Sequence, residues 1–165
     1  MKKRTFIILI VIVLAFIWGH SLIPTDSSSE ESIGIMKIMQ AVLDFLNIPV
    51  TLSENFVRKL AHFTEHAVAG ALIGLFVYPR FTAAATKRER IECAILPLIV
   101  GFFIGFIDET IQIFSGRGPL IQDVWIDFFG IFLGVSVAYL IVYLRNRQSG
   151  KSNAGIPDPA QTKRL

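Results

Sequence analysis

The sequence predicts an all-α, integral membrane four-helix bundle with an external amphipathic helix. Three observations carry that prediction. Apolar residues gather into four blocks, each long enough to cross a hydrocarbon core once its polar members are included. The pieces between the blocks are charged, and basic pieces alternate with acidic or short ones, as a chain threaded back and forth requires. A fifth stretch has polar residues on one helical stripe and is too short and too charged to span.

The first block covers residues 5–23 and follows MKKR. Its roughly 19 residues at about 1.5 Å each match a hydrocarbon core. A cleaved signal peptide also starts basic and apolar, but WGHSLIPTDSSS offers no small-x-small cleavage site, so an uncleaved helix is expected. Residues 24–59 form the external segment. TDSSSEES reads as a polar turn or loop. IGIMKIMQAVLDFLN then places Lys37, Gln40, Asp44 and Asn47 on one stripe, suited to the outer membrane surface. Pro49 ends that helix, and Ser53 is an N-cap candidate for the next. The remaining spans are residues 60–78, 93–114 and 124–144. Residues 1–148 make one membrane domain. Residues 149–165, rich in Gly, Pro, Asn and Lys, are expected to be a disordered cytoplasmic tail.

Bulk composition decides little, because 53% hydrophobic residues in a chain of 165 lies only slightly above the soluble range. The lone Cys93 excludes an internal disulfide. A net charge of +3 with no basic patch interleaved with aromatics excludes nucleic acid as an expected partner. No G-x-S-x-G, P-loop or internal repeat is present. Gly70, Gly74, Gly101, Gly105, Gly130 and Gly134 form a small-x3-small pair on each of three helices, which suits close helix packing.

Direction follows from charge. MKKR, the loop with Arg80, Lys87, Arg88 and Arg90, and the tail with Arg145, Arg147, Lys151, Lys163 and Arg164 must share a side if there are four spans. All are basic, so both termini are expected in the cytoplasm of a multi-pass cell-membrane protein. The polar residues inside the spans then collect at the outer level. His62, Glu65 and His66 open the second span, Asp108, Glu109 and Gln112 close the third, and Asp123 and Asp127 open the fourth. Arg117 sits between the last two. Salt bridges that merely hold helices together are the plain alternative for any one residue. For the whole set a ligand or reaction site is the stronger reading, because ionisable groups in a membrane usually serve function.

The stretches R58-K-L-A-H-F-T-E, D108-E-T-I-Q-I-F-S-G-R and D123-V-W-I-D-F-F-G-I-F-L-G resemble the VanZ-like membrane proteins. The resemblance runs from about Phe56 to Leu144. It falls on Lys59, His62, Glu65, Asp108, Glu109, Gln112, Gly116, Arg117, Asp123, Asp127, Gly130 and Gly134. This sequence departs at His66, where tyrosine is common, and at Asp127, where asparagine is common. The resemblance implies a small multi-helix membrane protein whose family namesake is associated with resistance to the glycopeptide teicoplanin. The functional cluster it implies is Lys59, His62, Glu65, Asp108, Glu109, Gln112, Arg117, Asp123 and Asp127, with no catalytic role assigned among them.

Two functional classes follow. In the first, Lys59, Arg117 and protonated His62 hold an anionic envelope ligand while the acids orient them. The partners are then membrane lipids and a lipid-linked cell-wall precursor. In the second, the His–Glu and Asp–Glu pairs act as acid and base in a hydrolase or transferase. The literal H62-F-T-E-H66 also spells the inverted zinc-protease motif, with His62, His66 and Glu109 as a weak ligand set. Tyrosine at position 66 in the resembled family argues against it. No metal or other cofactor is therefore expected, and His66→Tyr is expected to be nearly silent.

Overall fold

The computed structural model describes residues 3–116, 118 and 120–154. They form five helices and no strand: α1 (Lys3–Ser21), α2 (Thr25–Phe45), α3 (Glu54–Ala83), α4 (Lys87–Phe114) and α5 (Ile121–Ala154). Four of them, all but α2, are long and apolar enough to cross a membrane. The protein is thus an all-helical integral membrane bundle.

The central pair is α3 and α5. α4 packs on both, α1 packs on α3 and α4, and α2 lies against α3. Glycine determines how closely α3 and α5 approach. A Cβ on Gly70 would strike the Ile131 backbone, and one on Gly134 would strike the backbone of Ala67 and Ala71. Gly74 faces the Val135 Cα, which a Cβ would meet at 3.1 Å. The third pair works on α4, where Gly101 admits the Ile131 side chain and Gly105 admits Asp127. Backbones this close gain dispersion contacts that lipid cannot supply. The seam above the polar layer is filled by Ile17, Ala69, Ile73, Val77, Ile104, Ile131 and Val135. Outward, Ile7, Val11, Phe103, Phe106, Phe132, Leu140 and others stay exposed. In water such a surface would be a liability, whereas hydrocarbon solvates it.

The helices overrun the expected spans at several ends, for local reasons. α3 starts at Glu54, where Ser53 is the N-cap and accepts from the Phe56 amide at 3.2 Å. α4 starts at Lys87 because Thr86 and Glu89 form a full capping box. The basic residues expected in a loop there, Arg80, Lys87, Arg88 and Arg90, are therefore on helix ends. TDSSSEES, expected as a turn or loop, is helical. Ser28 and Ser32 stand four apart and are buried, so the serines make a packing face. α2 ends in a left-handed residue, Asn47 at φ 54°. Gln40 then ties the following extended segment back, donating to the Val50 carbonyl at 3.0 Å and accepting from the Leu52 amide at 2.9 Å. Ile38, Val42 and Phe45 remain exposed on α2. α5 continues to Ala154, past the expected boundary at 148. The rest of the expected tail, 155–165, lies outside the described residues, as does Arg117.

The direction of insertion is open to a direct test. On a Cys93→Ser background, Val50→Cys and Gly118→Cys are expected to react with a membrane-impermeant maleimide added to intact cells. Arg88→Cys is expected to react only after lysis. Protection of Gly118→Cys in intact cells would reverse the orientation.

Candidate functional site

The last turn of α1, the first half of α3, the end of α4 and the start of α5 meet in one layer. Antiparallel packing makes this meeting unavoidable, since each of those segments lies at the same end of the bundle. Asp108 is one of its anchors and is completely buried. Ser21 Oγ donates to one of its oxygens at 2.6 Å, and Gln112 Nε2 donates to the other at 3.2 Å. His62 Nδ1 stands 3.4 Å from the same second oxygen. Glu109, also buried, accepts from Gln112 Nε2 at 3.1 Å and from the Leu120 amide at 3.2 Å. Gln112 thus bridges two neighbouring acids, with its paired N–H groups separating two like charges.

His66 and Asp127 form the deepest contact. Both are completely buried, and His66 Nδ1 lies 3.3 Å from Asp127 Oδ1 and 2.9 Å from the His62 carbonyl. Glycines allow this approach: a Cβ on Gly105 would meet Asp127 Cβ at 2.9 Å, and one on Gly130 would meet His66 Cβ at 3.2 Å. Toward α1, the rings of His20, His62 and His66 stack in a ladder with centroids 6.1 and 6.4 Å apart. His20 Nδ1 donates to Glu65 at 3.0 Å, and its other nitrogen lies 3.6 Å from Glu31 of α2. At the rim, Lys59 is paired with Asp123 at 2.8 Å.

Eight of the nine residues expected in the cluster fall within this layer, and the ninth, Arg117, lies outside the described residues. Lys59 and Asp123 occupy the rim. His62, Asp108, Glu109, Gln112 and Asp127 are interior, and Glu65 faces α1. Lys59, expected among the residues that hold an anion while acids orient them, is paired with Asp123. The weak metal set of His62, His66 and Glu109 is not the one that converges, because His62 and His66 gather with Asp127 instead. His66 sits inside the bundle, not at an interface, because Gly130 brings α5 over it. Ser21, His20 and the Leu120 amide join the layer beyond the residues expected there. The signal for Ser21 and His20 was present: α1 ends at the level where α3 begins, so its last polar residues join the same layer.

Apolar grooves reach this layer from the lipid side. One of ≈ 240 Å³ between α4 and α5 is lined by Phe106, Glu109, Thr110, Ile113, Leu120, Ile121 and Val124. Two more, of ≈ 310 and ≈ 300 Å³, flank α3 toward α1 and α2 and share Thr64 and Glu65. Each groove is mostly apolar and counts an acidic residue of the layer, Glu109 or Glu65, among its lining residues. The arrangement can receive an amphiphile, move protons between imidazole and carboxylate, or hold a cation.

No curated protein and no solved structure matches the chain. The family model described as VanZ/LLP1 matches residues 6–143, which reaches into all four spans and covers the polar layer, and the chain belongs to that family.

Proposed function

We propose that this VanZ-family membrane protein binds and handles an anionic, lipid-linked ligand of the cell envelope at the polar layer. The observation that carries this reading is that the apolar grooves are lined in part by acidic residues of the layer, Glu109 in one and Glu65 in two. Hydrocarbon chains would lie in the grooves while the headgroup meets the cluster. An anionic headgroup would draw Lys59 from Asp123 and His62 from Asp108, so binding would exchange ion-pair partners. Basic Arg117, next to the layer in sequence, would add to the same pull. The outward orientation proposed above would let the site meet precursors after their export.

Gentle extraction followed by native mass spectrometry tests this directly. Wild-type protein is expected to retain an envelope lipid with a phosphate-bearing headgroup, and Lys59→Ala is expected to lose it. Retention of bulk phospholipid only, with no difference in Lys59→Ala, would remove the reading. Teicoplanin susceptibility of a host expressing wild-type protein or His62→Ala reads the namesake's process. A shift that requires His62 would place this member in it.

The second reading, a hydrolase or transferase, is favoured by one feature. Asp108 holds both the Ser21 hydroxyl and the His62 ring, the combination that proton transfer uses. Glu109→Gln separates the two readings, because its amide oxygen still accepts from Leu120. The binding reading expects normal accumulation, retained lipid and a stability loss of about 1 kcal/mol. Normal accumulation with loss of a glycopeptide or wall-precursor phenotype, lipid still bound, would favour catalysis.

A further inference from the structure

We propose that His62, His66 and Asp127 form a binding site for a divalent transition-metal ion, with Asp108 and Glu109 as adjoining carboxylate ligands. One donor atom from each of His62, His66 and Asp127 lies within 4.8 Å of the others, and the same holds for Asp108, Glu109 and Asp127. Asp127 belongs to both sets, so five donors converge on one region of the bundle. Zinc ligands at about 2.0–2.1 Å sit roughly 3.4 Å apart in a tetrahedron, so the side chains must draw in to close on an ion.

Three independent features point to a cation there. First, among the described residues neither oxygen of Asp127 and no partner for His66 Nε2 completes a hydrogen bond, although both side chains are completely buried. A carboxyl group placed this way must take up either a proton or a cation. Second, the His62 carbonyl can only accept, so the hydrogen of the 2.9 Å contact sits on His66 Nδ1. In the neutral ring Nε2 then carries a lone pair. Nε2 would then be the ligand atom, and because Nδ1 is the nitrogen that lies 3.3 Å from Asp127 Oδ1, side-chain rotation is needed to bring Nε2 to the ion. Third, Asp108, Glu109 and Asp127 are all buried, and among the described residues no lysine or arginine pairs with them; Lys59 is engaged by Asp123.

The donors are imidazole and carboxylate, without thiolate. That mixture suits zinc, manganese or ferrous ions better than calcium or magnesium, which prefer oxygen alone. The donors stand on helices locked by Gly105 and Gly130, so their backbones are held before any ion arrives. The site does not depend on the lipid-linked ligand proposed above. Were both correct, the ion would supply positive charge to a layer where carboxylates outnumber lysines.

The test uses the full chain in detergent micelles, stripped with chelator and then titrated with Zn²⁺ and with Co²⁺ as a spectroscopic probe. Wild-type protein is expected to take up about one equivalent, with visible Co²⁺ bands of nitrogen and oxygen coordination. Asp127→Asn and His66→Gln are each expected to weaken uptake at least about tenfold, and Glu92→Gln, at an exposed position, to leave it unchanged. Wild-type protein that takes up no ion, or variants that bind as well as wild type, would overturn the proposal. Should a variant fail to fold, ¹⁵N spectra of the wild-type histidines decide instead. The chain has three histidines, and His20→Asn identifies one of them. Zn²⁺ is expected to shift the other two, and shifts confined to His20 would refute the site. Metal uptake and lipid retention are separate readouts, so either proposal can fail while the other stands.

Discussion

Gly134→Ala is expected to abolish accumulation of the folded protein, although it adds a single methyl group. That methyl would meet the Ala67 carbonyl and would stand 2.7 Å from the Ala71 amide nitrogen. Both obstacles are backbone, so no rotamer change relieves them. The helices must separate instead, which also loosens the contacts of Gly70 with Ile131 and of Gly130 with His66 on the same seam. Overpacking of a core generally costs about 1–3 kcal/mol, and a backbone obstacle on the central pair belongs at or beyond the upper end. Gly34→Ala supplies the control, because a Cβ there meets nothing within 4 Å. It is expected to be neutral or to stabilise α2 by up to about 1 kcal/mol through helix propensity. Unfolding in mixed micelles, read by size-exclusion fluorescence, compares the two. Equal stability of Gly134→Ala and wild type would mean that the close α3–α5 seam is not what holds the bundle.

His62→Ala is expected to be the most damaging change within the polar layer, and to act on two properties separately. It leaves Asp108 buried with its Ser21 and Gln112 donors but without the neighbouring ring. Breaking a buried pair by removing one partner costs about 3–5 kcal/mol, whereas removing both is far milder. His62→Ala/Asp108→Ala is therefore expected to recover much of the stability lost in His62→Ala. Function is expected to stay lost in both, because the ring itself is gone. A double-mutant cycle with lipid retention or drug susceptibility measured in parallel tests both halves. Additive stability losses would mean that the two residues do not interact. Recovery of function in the double variant would mean that His62 serves only to neutralise Asp108.

Much of this molecule was legible from residue order. Four apolar blocks and the alternation of charged pieces imply the spans, and the glycine pairs imply close packing. The level of His62, Asp108, Glu109 and Asp127 follows from threading alone, because a chain that crosses four times must bring those helix ends to one face. Helix ends were less legible. The Thr86–Glu89 capping box extends α4 outward from its apolar run, and buried Ser28 and Ser32 turn an apparent loop into a helix. Both effects depend on side-chain partners that hydropathy does not register.

Pairing was decided by tertiary structure alone. Residue order places Lys59 near several acids, but only the packed bundle assigns it to Asp123 and leaves Asp108 to His62 and Ser21. His66 shows the difference most clearly. Its position in the chain suits an interface, and it became the most buried histidine because Gly130 lets α5 close over it and Gly105 seats Asp127 against α4. Hydropathy and charge depend on what a residue is, so the sequence carries them directly. Which polar atoms meet depends on helix rotation and separation, and in this bundle those are set by backbone contacts at glycines tens of residues away.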